Sequence, residues 1–224
     1  FFLPVLLSFN FVFTDAFQDL NIDFLLEDST KAPVKKQLKN KKKADKKSFV
    51  NIIKDFQKIE GLFTLYWNEK NNQAYVSILP DQLEKIYLVG LTRQSGDGYY
   101  LDGSSMLNEY PFMFRKVGER IQFINVNVKF RANKESPFHR SVEKHSSHSI
   151  LSSTEVASAP HPKTGAVLAD IGKLFIYDIE EITRKSQGVY SFDKKDSYFT
   201  ELKSFPYNTE IEIALHFKGK KGKY

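Results

Sequence analysis

GLFTLYWNEKNNQAYVSIL, residues 61–79, sets the reading of the fold. Two strand-like runs, GLFTLYW (61–67) and AYVSIL (74–79), flank the polar turn cluster NEKNNQ, so the stretch reads as a β-hairpin. The same grammar repeats downstream. KIYLVGLT (85–92) follows the turn PDQLE, and YPFMFRKV (110–117) and RIQFINVNVKFRA (120–132) flank the tight turn Gly118-Glu119. TEVASAP (154–160) and AVLADI (166–171) flank HPKTG as a third hairpin, and LFIYD (174–178) adds an apolar run. TEIEIALHF (209–217) alternates strictly, with Ile211, Ile213, Leu215 and Phe217 on one face and Glu210 and Glu212 on the other. Many short strands joined by tight turns predict a mainly β fold of antiparallel sheet, a sandwich or open barrel.

Helices are few in this reading, which makes the fold class a β-rich α+β. SFVNIIKDFQK (48–58) places Phe49, Ile52, Ile53 and Phe56 at helical spacing, with Ser48 as its cap and Gly61 as its stop. SPFHRSVEKHSSHSIL (136–151) has helical character, and IEEITRK is a further short helix. The composition agrees with a folded β protein. Of 224 residues, 41% are hydrophobic and 14% aromatic, with 20 Phe and 11 Tyr, residue types that favour strands.

Charge is unevenly placed. The formal net charge is +6, yet residues 31–47 hold nine Lys against one Asp, and KGKKGK (218–223) adds four more Lys. The remainder is acidic, so the basic balance belongs to tails and not to a basic face of the kind a nucleic-acid domain presents. Four segments follow: a leader at 1–16, a Lys-rich disordered linker at 17–47, a β-rich region at 48–217 and a basic end at 218–224. Phe1 to Phe13 is apolar but too short to span a bilayer, which needs roughly 20 residues. It fits the apolar part of a signal peptide, with Thr14 and Ala16 at the −3 and −1 positions of a cleavage site; the competing reading is a buried strand or helix. The linker composition cannot bury enough surface to fold, and no aromatic interleaves with its Lys to stack bases.

No catalytic constellation emerges. There is no Cys, so disulfides and thiolate chemistry are excluded. His145 and His148 are the only close His pair, but a zinc site needs three or four ligands and nothing adjacent completes one. Ser95-Gly-Asp-Gly98 lacks the lysine and helix context of a phosphate loop and reads as a turn. Glu180 and Glu181 diverge on a helix and suit its N-terminal dipole better than acid/base work. Asn125 and Asn127 either face outward from their strand or form a structural hydrogen-bond site at a domain junction. No catalytic, cofactor-binding or metal residue is assigned.

The order of motifs resembles a known family. FQKIEGLFTLYWNEKNNQAYVSILPDQLEKIYLVGLTRQSGDGYYLDG, then FMFRKVGERIQFINVNVKFRA, VEKHSSHSIL and TGAVLADIGKLFIYDIEEI, is similar to the N-terminal region of large zinc-dependent metallopeptidases. In that family this region is catalogued as domains of unknown function 5118 and 5117. The resemblance spans roughly residues 48–185. Leu101-Asp102-Gly103-Ser104 departs from it, since the family carries Leu-Asp-Arg-Gly there. The resemblance implies a secreted or cell-envelope protein with a downstream metzincin-like domain. That domain's HExxHxxGxxH motif would bind zinc and act on peptide or protein substrates. The present chain has no such motif, so it would be a non-catalytic scaffold packing on that downstream peptidase domain. The alternative is a free-standing secreted β-sandwich interaction module, and a third reading is a polycation-tethered binder of nucleic acid or membrane surface.

Overall fold

Strand alternation and tight turns build two sheets around one aromatic core. The computed structural model describes residues 2–12, 46–95, 106–179 and 181–219. The larger sheet contains β1 (Phe2–Val12), β5 (Tyr87–Ser95), β6 (Met106–Val117), β7 (Arg120–Asn125), β8 (Ser149–Glu155), β10 (Tyr190–Phe192), β11 (Tyr198–Phe205) and β12 (Asn208–Gly219). Its order is β10-β12-β1-β5-β6-β7-β8, and β11 also pairs with β12. The smaller sheet is β2 (Gln57–Ile59), β3 (Thr64–Asn68), β4 (Gln73–Ile78) and β9 (Val167–Asp170), in that order. All ladders are antiparallel, and the larger sheet curls into a half-barrel. The expected mainly β antiparallel class is what the structure shows.

The small sheet bridges the ends of the curl. At one seam β8 runs on into a bridge between Val156 and Ala169, followed by a hydrogen bond from Ala157 N to the Leu168 carbonyl. At the other, Leu62 N donates to the Phe205 carbonyl at 2.7 Å, and Ser204 Oγ donates to the Phe63 carbonyl at 2.7 Å. Asn72, at positive φ in the β3–β4 turn, accepts from Phe199 N. Side chains of both sheets then share one core. Phe11 lies 5.1 Å from Phe112 and 5.4 Å from Phe175, and Phe123 lies 5.0 Å from Phe175. Phe63, Tyr87 and Phe114 extend the cluster. Each fully buried ring contributes about 1.5–3 kcal/mol of transfer free energy, so this cluster is the main cohesive element.

The hairpins at 61–79 and at Gly118-Glu119 form as the sequence indicates. Gly118 takes φ +57°, the conformation that a two-residue turn between twisted strands requires. β12 places Ile211, Ile213, Leu215 and Phe217 inside, as its alternation demands.

Several local expectations change. The helix expected over 48–58 is only α1 (Phe49–Ile53), because Gln57–Ile59 leaves to pair with β3. Ser48 makes no capping side-chain bond, and Gly61 stops no helix. Residues 136–151 divide into α2 (His139–His145) and the start of β8. Residues 154–160 give β8 its last two residues before crossing to the smaller sheet, so the third hairpin is one bridge and loose bonds rather than a ladder. Ile171–Phe175 is a short helix, α3, which takes the last residue of AVLADI (166–171) and the first two of the apolar run LFIYD (174–178), and α4 is Ile182–Lys185.

The N-terminal run was read above as a leader with a cleavage site after Ala16, and that site lies outside the described residues. Phe2–Val12 is an interior strand between β12 and β5, with Leu7, Phe9 and Phe11 buried. Strand β12 runs two residues past position 217, through Lys218 and Gly219. The Lys-rich stretch from 17 to 45, the loop at Gly96–Ser104, Glu180 and residues 220–224 lie outside the described residues. No helix among the described residues is long and apolar enough to cross a membrane.

Candidate functional site

One acid–histidine group forms among the described residues, where β10 turns into β11. Asp193, Asp196 and His216 offer ligand atoms that all lie within 4.8 Å of one another. The turn Asp193-Lys-Lys-Asp-Ser197 is built by local bonds. Asp193 Oδ1 accepts from Lys195 N at 3.2 Å, and Ser197 Oγ donates to the Asp193 carbonyl at 2.8 Å. β12 holds it in place, because Asp193 N donates to the His216 carbonyl at 2.8 Å and His216 N donates to Ser197 Oγ at 3.0 Å.

The donor set, two carboxylates and an imidazole, is of a type that zinc accepts. Lys218 changes that chemistry. Its ammonium pairs with the Asp193 carboxylate and lies 3.8 Å from Asp196 Oδ2. His216 Nδ1 stands 4.0 Å from Asp193 Oδ2. The Lys218 hydrogen bond holds the Asp193 carboxyl below its usual range, and the same contact raises Lys218. The half-exposed Lys218 offsets one of the two carboxylate charges, and with the backbone bonds above it ties the β10–β11 turn to β12. Sequence spacing did not reveal it, because its members come from two remote segments and no short motif links them.

The residues singled out from sequence fall elsewhere. His145 and His148 do not converge. His145 Nδ1 sits 2.8 Å from the Ser141 carbonyl on an exposed helix, and His148 Nδ1 accepts from Asn127 N at 3.0 Å. Burial and the Arg115 charge push His148 below its ordinary value, which keeps the acceptor nitrogen free of a proton. Asn127 is held by hydrogen bonds in the loop after β7. Its Nδ2 donates to the Ser146 carbonyl at 2.7 Å, and its Oδ1 accepts from Lys129 N at 3.1 Å. Asn125 is a half-buried residue at the end of β7. Glu181 pairs with Arg184, while the carboxylate that caps α4 is Asp178, which accepts from Ile182 N and Thr183 N. Ser95 closes β5, and the rest of its glycine loop is outside the described residues.

Residues 104–224 match the family described as a domain of unknown function, DUF5117. This chain belongs to the DUF5117 family. The match takes in the part of the sequence resemblance from residue 104 onward and continues through β10, β11 and β12. The group at Asp193, Asp196, His216 and Lys218 therefore lies inside the DUF5117 region. No curated protein and no solved structure matches the chain.

Proposed function

We propose that this DUF5117 chain is a non-catalytic scaffold, the N-terminal part of a secreted or envelope zinc metallopeptidase. It would pack against a downstream peptidase domain that carries the zinc and acts on peptide or protein substrates. The observation that carries this reading is how the chain divides its side chains. Among the described residues its one acid–histidine group carries a lysine, Lys218, on its carboxylates, while large aromatic groups stand in solvent. Tyr198 and Phe205 lie on the outward face of β11, and Tyr207 in the adjoining turn is 74% exposed. This aromatic face adjoins β12, the strand from which the chain runs on toward Tyr224. Exposed aromatics of this kind are the residue types that anchor protein interfaces. The sequence resemblance to the metallopeptidase N-terminal region supplies the identity of the partner.

The test is the coding sequence beyond Tyr224. An HExxHxxGxxH motif downstream supports the scaffold reading; an immediate stop codon overturns it in favour of a free-standing β-rich interaction module. With the downstream region present, Tyr198→Ala and Tyr207→Ala should weaken domain packing. Faster hydrogen exchange along β11 and unchanged exchange in β6–β7 would report that weakening.

A further inference from the structure

We infer that the gap between β5 and β12 is a strand-acceptor site whose ligand is an extended segment, apolar at alternate positions, supplied here by the chain's own remote strand Phe2–Val12. β1 is antiparallel to both neighbours. It pairs with β12 over its whole length, from Phe2↔Lys218 to Val12↔Asn208, and with β5 from Leu6↔Ser95 to Val12↔Leu88. No turn positions it. Antiparallel neighbours are normally joined by a few residues, yet β1 is separated from α1 by residues 13–48 and has partners at 87–95 and 208–219. The strand is therefore held by what the slot recognises and not by a hairpin.

The slot is selective by face. Inward, Leu7 sits across from Ile213, and Phe9 sits between Leu91 and Ile211. Phe9 also lies 5.0 Å from Phe175. On the opposite face the polar Ser8, buried at 6% exposure, and the half-buried Asn10 lie between Thr92 and Gly90 on one side and Glu212 and Glu210 on the other. A register slip of one residue would turn the Phe rings outward and bury Asn10, so register and polarity are both read. Without an occupant, β5 and β12 present two unpaired edges, the feature through which sheets capture extended peptides. Tethering raises the local concentration of β1 to about the millimolar range, which favours occupancy within one chain. The same run cannot be both a leader removed at Ala16 and β1 of the mature fold. If it is removed, the slot requires another strand of the same alternation.

The absence of Cys allows disulfide trapping in the full chain. Asn10→Cys with Glu210→Cys joins half-exposed register partners of β1 and β12, and Arg120→Cys with Glu155→Cys joins partners of β7 and β8 as a folding control. The expected result is a monomer-sized cross-linked product from both pairs. A specific protease site placed within 36–42 then frees β1 covalently. The cut fragment should co-elute with the remainder and exchange with a labelled synthetic peptide of residues 1–16. The 10–210 disulfide should block that exchange, and a peptide carrying Phe9→Asp and Phe11→Asp should compete at least tenfold more weakly. Failure of the 10–210 pair to link while the control links would overturn the inference. So would release of the fragment without a fall in Tm, a cut but unlinked strand that never exchanges, or equal competition by the Asp peptide. A dimer-sized product would assign the slot to a second copy and overturn occupancy within the chain.

Discussion

Gly61 shows how one hydrogen atom can be a structural requirement. A Cβ built there would lie 2.5 Å from both the Phe205 amide nitrogen and the Ser204 carbonyl carbon, backbone atoms that cannot rotate away. The sequence invites a helix-stop reading of this glycine, but its role is to let the β2–β3 connection approach β11 closely. Gly61→Ala should cost about 1–3 kcal/mol, the usual range for overpacking, seen as a lower denaturant midpoint at unchanged m-value. His148 gives a pH-dependent counterpart. Its proton affinity is depressed in the folded state by burial and by Arg115, so the unfolded chain binds the proton more readily. The stabilising contribution is full above the ordinary value of 6.5 and is lost as pH falls from there through the depressed folded value. Between about pH 8 and about pH 5 the native chain should lose more stability than His148→Asn, which cannot titrate but can still accept from Asn127 N. Equal losses would show that His148 protonation is not linked to folding. Neither role was readable from the residue alone, because both depend on atoms contributed by distant segments.

At the scale of the element, legibility followed how many faces a segment buries. β12 buries one face, so its two-residue period was readable, and the structure places Ile213 at 0% exposure opposite Leu7 and Phe199. Ile213→Ala should cost about 2–5 kcal/mol. Glu212 sits on the exposed side, where its carboxylate accepts from Gln94 Nε2 at 2.7 Å, so Glu212→Ala should cost under about 1 kcal/mol. Chemical-denaturation midpoints of the two variants test this directly, and equal small effects would remove Ile213 from the core. The segment 48–58 was harder. Its apolar set does converge on one cluster, with Phe49, Ile52, Ile53 and Phe56 against Tyr66, Tyr75 and Leu168. The spacing identified the right face but the wrong length of helix. Pairing of Gln57–Ile59 with β3 satisfies backbone groups that a longer helix would have kept for itself. β1 is the limiting case. An apolar run of its length satisfies a leader and a buried strand equally well, and its place between two partner strands shows what the second reading requires of it.

On the scale of the molecule, the family boundary and the packing unit do not coincide. The DUF5117 match begins at residue 104, between β5 and β6, yet β6 pairs with β5, β9 with β4 and β12 with β1. The core is divided the same way. Phe112, Phe114, Phe123 and Phe175 lie within the matched region, while Phe9, Phe11, Phe63 and Tyr87, against which they pack, lie before it. A core shared across such a boundary should melt once, because neither half retains enough buried apolar surface to offset its conformational entropy alone. Trp67, the only Trp, reports on this without any labelling. It lies on β3 of the smaller sheet and packs against the shared core, whereas far-UV dichroism is dominated by the larger sheet. Trp fluorescence and dichroism should therefore trace one coincident transition in denaturant. The seam at Ser204, Phe63 and Thr209 is one tie between the sheets, since Ser204 Oγ lies 2.7 Å from both the Phe63 carbonyl oxygen and Thr209 Oγ1. Ser204→Ala should lower both midpoints together by the same amount. Two separated transitions in the native chain would mean that the sheets fold as independent units. A split that appears only in Ser204→Ala would instead locate the cooperativity at that seam.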